Sequence, residues 1–340
     1  MVKNQAAWIT AGKAKPLKVD EAPEPKAEAG EVVIKNQAVA VNPVDWKVQD
    51  YDFVIKSYPN ILGTDVAGII EEVGEGVTRL HKGQRVIGHC HGLGTGETKH
   101  AAFQQYTVCA EILVSPIPDS LSFGQAVVLP LAISTAAAGL YQKPHLALPY
   151  PSKDAKPTGK SILVWGGASS VGGTAVQLAA ASGVQVVATA SSRNHDYVKS
   201  LGASKVIDYN SPSVEDDVVA ALKEGDFAGV YDSISTPDTF KHIGTIVDKL
   251  GGGKIACVLT PPDDLPKSAQ AQGVFAITIA SEHKEVGNAI WREYVPEALA
   301  SGRLQAKPDP LVVGSGLEKI QDGLDKQKAG VSAKKVVITL

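Results

Sequence analysis

The chain has 340 residues, 44% hydrophobic and 20% charged, with a formal net charge of −3. That length allows two domains with separate cores, and so even a charge balance excludes a nucleic-acid surface and long disordered tails. Neither a charged leader followed by an apolar stretch nor a run of about 18 apolar residues is expected, and three widely spaced cysteines (Cys90, Cys109, Cys257) suit reduced thiols, so the expected address is cytoplasmic, with no membrane partner.

Through about residue 125, Val- and Ile-rich runs between Gly and Pro breaks predict a β-module, with strands at 32–40, 65–73, 84–88 and 102–108. The pattern then changes. A helix is predicted over 130–142 and a proline-bearing connection over 145–158, after which strands alternate with helices to about residue 280. Strand 161–165 leads into a glycine-rich turn. A helix follows, with Val171, Ala175, Leu178 and Ala179 at helical spacing, a stop at Ser182-Gly183 and a second strand at 184–190. Later strands are predicted at 205–209, 229–233, 254–258 and 274–279, helices over 284–301 and 316–328, and a last strand at 335–340. The class is α/β, a doubly wound parallel sheet of Rossmann type plus a β-domain. The domains are drawn at 1–127, 128–285 and 286–340, the last returning to the first module.

The turn Gly166-Gly167-Ala168-Ser169-Ser170-Val171-Gly172 opens a helix inside a βαβ unit, which points to a dinucleotide whose pyrophosphate sits on the helix N-terminus. Ser169 stands where the usual motif has its middle glycine, and its hydroxyl is a candidate donor to a phosphate oxygen. A plain βα turn is the other reading. At the end of the second strand, Ser191-Ser192-Arg193-Asn194 offers a cation and hydroxyls but no carboxylate, a set suited to a 2′-phosphate, so the expected cofactor is NADPH. Tyr209 is placed to close over the adenine or that phosphate. As ordinary surface residues, Arg193 and Tyr209 would carry no such meaning.

Five motifs, ILGTDVAGIIEEVGEG (61–76), KGQRVIG (82–88), FQQYTV (103–108), LPLAISTA (129–136) and LGA (201–203), occur in order over nearly the full chain. Together they resemble the medium-chain dehydrogenase/reductase superfamily. That resemblance implies a GroES-like β-domain built from both chain ends, a Rossmann domain between, and a substrate cleft at their junction. Where zinc members carry a Cys and Gly-His-Glu, this chain reads Asn42-Pro43-Val44-Asp45 and Gly63-Thr64-Asp65, so no zinc is expected. His89-Cys90-His91 does not change this, because adjacent side chains on a strand point to opposite faces.

NPVDWK (42–47), WGGASSVGG (165–173) and VYDSI (230–234) are similar to the fungal trans-acting enoyl reductases, with quinone oxidoreductases as near neighbours. The implied reaction is conjugate reduction: hydride to the β-carbon of an α,β-unsaturated carbonyl, then protonation of the enolate. The resemblance makes Lys47 the candidate electrophilic or cofactor-positioning cation, oriented by Asp45 and Asn42, with Asp45, Trp46 and Lys47 as cofactor contacts. Lys47 as a solvated surface lysine, and Asn42 and Asp45 as turn residues beside Pro43, are the alternatives. Further implied contacts are Thr135, against a helix cap at Ser134-Thr135, then Val258, Leu259 and residues 274–278, and Lys335 and Val336, against a merely structural last strand. Tyr51, Tyr58 and Tyr106 line the cleft or fill the core, Tyr106 the latter. The implied partner is a small enoyl or quinone substrate or a carrier-bound acyl chain. Monomer and homodimer stay open, the latter by pairing of the 274–279 strand. A quinone reductase and a crystallin-like, non-catalytic NADPH-binding protein are the competing functions.

Overall fold

In the computed structural model, which describes residues 3–340, the strand Glu31–Ala40 carries three antiparallel partners: Asp65–Val73, Tyr106–Ala110 and Lys334–Thr339. The last pairing, with Val337 opposite Ala40, inserts the chain's end beside its beginning. This sheet has seven strands and continues through Arg85–His89 to Val114–Pro116 on one side and Asp309–Ser315 on the other. A smaller sheet of Lys18–Ala22, Asn4–Ile9 and Asn60–Ile61 joins the same core, where Val32, Ile34, Ile70, Phe103, Val336 and Ile338 are buried. The unit comprises the chain to Leu131 with Val295–Ser301 and Ala306–Leu340; Ala132–Tyr294 with Gly302–Gln305 forms the other. The sequence pattern alone draws these limits at 127 and 285.

The NPVDWK segment starts a helix, Pro43–Tyr51. Asn42 is extended ahead of it, Pro43 occupies the first turn, and the Asp45 carboxylate accepts the Asn42 N–H at 2.7 Å. These are the features of a helix start, which a turn reading of Asn-Pro overlooks.

The second unit holds a six-stranded parallel sheet in the order Lys205–Ile207, Gln185–Thr189, Lys160–Trp165, Asp226–Asp232, Gly253–Cys257, Ala269–Gly273. Lys160–Trp165 is central and Ile162, Leu163 and Val164 are fully buried, which explains an unbroken apolar run where a one-sided strand would alternate. From it the chain winds to one edge and then crosses to Asp226–Asp232 on its other side. At such a reversal, open α/β sheets take ligands outside the carboxyl ends of the strands.

Residues 274–279 are not the sixth strand. The edge strand is Ala269–Gly273, and Ala276–Ala280 is a 3₁₀ turn in which Thr278 Oγ1 donates to the Phe275 carbonyl at 2.7 Å and accepts from Gln142 Nε2 at 2.6 Å. A side chain that bonds its own backbone competes with a sheet ladder, so pairing of 274–279 across a two-fold axis has no strand to use. The predicted helix 284–301 is interrupted by π-helical turns over Asn288–Tyr294. The helical stretch Phe123–Tyr141 is long and apolar enough to cross a membrane, yet most of it is buried inside the protein, as core helices are.

Candidate functional site

In the second unit, the glycine turn has the shape a dinucleotide requires. Gly166 takes φ +83°, and a Cβ on Gly172 would lie 2.2 Å from the Gly166 carbonyl oxygen, so only glycine lets the helix Ser170–Ala181 start this close to its strand. Ser169 caps that helix, its Oγ accepting the Gly172 N–H at 2.9 Å and lying 3.0 Å from Ser233 Oγ. Ser233 in turn donates to the Trp165 carbonyl at 2.7 Å. The Ser169 oxygen expected near a phosphate thus also caps the helix, accepting a backbone donor of the first turn. Gly166, Gly167, Ala168, Ser170 and Val171 share the turn and helix start.

Ser191 to Asn194 follow the second strand as expected, with Ser192–Asn194 forming a 3₁₀ turn and Arg193 exposed. Sequence spacing missed the carboxylate that reaches them. Asp208, just beyond Lys205–Ile207, accepts the Ser192 N–H at 3.2 Å and the Ser192 hydroxyl, and Tyr209 beside it is 43% exposed. At the end of Asp226–Asp232, the buried Asp232 accepts the N–H groups of Ile234 and Ser235, both at 3.0 Å, and Thr239 Oγ1 at 3.1 Å. Burial raises its carboxyl above the usual range against these bonds. Val258 N–H donates to the Asp232 carbonyl and to Ser235 Oγ, and Leu259 is exposed. Ser134 and Thr135 lie inside the helix Pro130–Tyr141, so the cap reading fails; the Thr135 carbonyl accepts the Tyr231 hydroxyl and Ser134 Oγ the Trp291 indole N–H.

In the first unit, a buried polar cluster gathers residues far apart in sequence. Lys335 Nζ lies 2.9 Å from Asp65 Oδ2 and donates to Asn42 Oδ1, while Asn42 Nδ2 donates to Asp65 Oδ2 at 2.7 Å and Thr64 Oγ1 at 2.9 Å. Asp65 Oδ1 accepts the Leu131 N–H at 2.6 Å. His89 ends its strand in the same buried region, and burial lowers its pKa to about 4. Asp45 is wholly buried, and burial pushes its carboxyl up to about 7, with help from the Asp65 charge and against hydrogen bonds from the Asn42 and Gly63 backbone. Asn42 and Asp45 therefore serve this cluster and the helix start, and neither bonds Lys47. Lys47 is half-buried, 5.8 Å from the Trp46 ring, and makes no hydrogen bond or ion pair among the described residues. Val336 is buried in the core and Lys335 is far from a solvated strand lysine. Tyr106 packs with Val33 and Val108, as expected, whereas Tyr51 is 63% exposed and Tyr58 donates to Asp52.

Two family models match in chain order, the alcohol dehydrogenase GroES-like domain over residues 28–119 and the zinc-binding dehydrogenase over 170–293. The trans-enoyl reductase himH of Aspergillus japonicus is 50% identical over 99% of this chain and 97% of its own. The chain belongs to the medium-chain dehydrogenase/reductase superfamily. Its relatives within the medium-chain dehydrogenase/reductases include the trans-enoyl reductase tndF of Aspergillus flavipes, 32% identical over the full length of both chains. An alcohol dehydrogenase superfamily protein from Novosphingobium aromaticivorans shares the fold with a TM-score of 0.81, at 25% identity and 99% coverage of both chains. As a medium-chain dehydrogenase/reductase this chain is an oxidoreductase with a GroES-like domain and a Rossmann domain for a nicotinamide dinucleotide, and the Gly166–Gly172 turn fits that cofactor. Asp65 was legible in principle, being a lone charge inside the apolar run ILGTDVAGII. Asp208 gave no such signal, and Ser233 stood out only as part of VYDSI (230–234).

Proposed function

We propose that this oxidoreductase is an NADPH-dependent, zinc-independent, cytoplasmic enoyl reductase that saturates an α,β-unsaturated acyl compound, free or held on a carrier as a thioester. The observation that carries the reading is the full-length, 50% relationship to a trans-enoyl reductase. The preference for NADPH is supported by Ser191 to Asn194, with Arg193 exposed and no carboxylate within the segment. Zinc independence is supported by the chemistry of the buried cluster: the Lys335 ammonium lies against Asp65, the ligand-type side chain a metal would need, and repels a second cation. No group of three or more His, Cys, Asp or Glu is placed to hold a metal among the described residues.

When bound, the nicotinamide supplies a hydride. The chain's own groups do the remaining work. Backbone N–H groups at the start of Ser170–Ala181 would hold the pyrophosphate, Ser191 to Asn194 and Tyr209 the adenosine end, and Thr135 and residues 258–259 the nicotinamide end. Lys47, which makes no ion pair among the described residues, stabilises negative charge developing on the substrate's carbonyl oxygen as the β-carbon is reduced, and the enolate then takes a proton from solvent at the α-carbon.

The test is anaerobic NADPH oxidation by the purified protein with an enoyl thioester and, separately, with a quinone, each with product identification. A saturated thioester is the expected product. Turnover of the quinone alone would replace this reading with that of a quinone oxidoreductase.

A further inference from the structure

The strands Gln185–Thr189 and Lys205–Ile207 are parallel neighbours in register, Thr189 beside Ile207, and Ala190 N–H donates to the Ile207 carbonyl at 3.1 Å. Their carboxyl ends are therefore level. This places Asp208 against the segment that follows the neighbouring strand. Asp208 Oδ2 accepts both donors of Ser192, the backbone N–H at 3.2 Å and the hydroxyl, and Oδ1 accepts both donors of Asn210, backbone N–H and Nδ2, each at 2.9 Å. A carboxylate has about four lone-pair sites, and here all are matched by donors. Hydrogen bonds from the Ser192 hydroxyl and the Asn210 N–H, then from Asn210 Nδ2 and the Ser192 N–H, outweigh burial and hold the carboxyl down to about 2, so it is an anion at neutral pH.

We propose that Asp208 is an internal acceptor that occupies the two Ser192 donors and so sets how strongly this site selects a nucleotide bearing a 2′-phosphate. The inference rests on the reading of Ser191 to Asn194 as the 2′-phosphate site. A 2′-phosphate arriving there meets a fixed negative charge and two donors already taken. It must either displace the carboxylate from Ser192 or bind through the neighbouring groups alone, and both lower the advantage that the phosphate gives. Asn in place of Asp208 removes the charge and, with one acceptor oxygen where there were two, cannot keep both the Ser192 pair and the Asn210 pair. Whichever pair the amide keeps, the fixed negative charge that opposes an incoming anion at Ser192 is gone.

The experiment is calorimetric titration of native protein, Asp208→Asn and the double variant Asp208→Asn/Ser192→Ala with adenosine 2′,5′-bisphosphate and with 5′-AMP, at one fixed ionic strength. The ratio of the two affinities isolates the 2′-phosphate. We expect Asp208→Asn to raise that ratio by about fivefold, the size of one solvent-screened charge interaction, and the added Ser192→Ala to remove part of the gain. An unchanged or lower ratio overturns the proposal, as does an equal weakening of both ligands, which would make Asp208 a loop support only. The underlying reading fails separately: native protein that binds both probes equally speaks against NADPH, while the change on Asp208→Asn still reports the role of Asp208.

Discussion

Lys335 Nζ and Asp65 Oδ2 are 2.9 Å apart with both side chains almost wholly removed from water, 4% and 0% exposed. Asn42 bridges them, and the Leu131 N–H takes the second Asp65 oxygen, so the pair's remaining hydrogen-bonding capacity is largely met inside the protein. Removing one partner leaves the other charge buried alone. Lys335→Met is expected to cost about 3–5 kcal/mol in denaturant unfolding, and Lys335→Met/Asp65→Leu less than the sum of its two single changes. Single changes that cost under about 1 kcal/mol would mean that water reaches the pair in solution.

Asp45 gives the same cluster a pH dependence whose sign can be stated. Burial raises its carboxyl from near 3.8 to about 7, so between those values the native protein binds the proton more than the unfolded chain does. Its contribution is present at acid pH and is lost as pH rises through 7. His89 runs the other way: lowered by burial from 6.5 to about 4, it adds stability above 6.5 that is lost as pH falls towards 4. In Asp45→Asn only the first slope disappears. The melting temperature of the variant relative to native protein should therefore be higher at pH 8 than at pH 4.5. The opposite sign would show Asp45 ionised and stabilised in the native state.

What sequence made legible follows from range. The strand Asp65–Val73 and the turn Gly166 to Gly172 are written in contiguous residues, and both were found at their observed positions. The edge strand Ala269–Gly273, AQAQG, has no β-branched or aromatic residue and takes its form from its pairing with Gly253–Cys257, while the β-branched stretch after it folds into a turn around Thr278. Lys335 and Asn42 stand 293 positions apart, and Asp208 meets Ser192 only because two strands end level. No spacing rule joins such pairs. The sequence accordingly located the glycine turn and left both the buried cluster and the carboxylate beside Ser192 to be found in the fold.

Gly172 separates steric need from helix propensity. In an ordinary helix, Gly→Ala gains about 1 kcal/mol. Here the added Cβ would meet the Gly166 carbonyl oxygen at 2.2 Å and Ser233 Oγ at 2.7 Å, so the turn itself must open. Gly173→Ala is the control, since its Cβ would first meet the flexible end of Leu201 at 3.0 Å. Fluorescence titration with NADPH should show Gly172→Ala weakening binding by about tenfold or more and Gly173→Ala by much less, in keeping with the close approach that the turn must allow. Equal effects at the two positions would remove the turn from the cofactor site.

Lys47 is the remaining test of chemistry. It sits on the helix Pro43–Tyr51, half-buried, next to a Trp46 ring that also has Lys328 Nζ 5.9 Å from its centroid, and no carboxylate neutralises it among the described residues. A cation left unpaired is available to a developing negative charge. Lys47→Ala is therefore expected to lower kcat with an enoyl thioester by about 100-fold, as loss of one oxyanion donor does, with little change in the KM for NADPH. Lys47→Arg keeps the charge and should recover part of the loss. A rise in the KM for NADPH at unchanged kcat would instead make Lys47 a cofactor-holding residue. No change in either would return it to the solvated lysine of the alternative reading, and charge stabilisation would then fall to backbone donors or water.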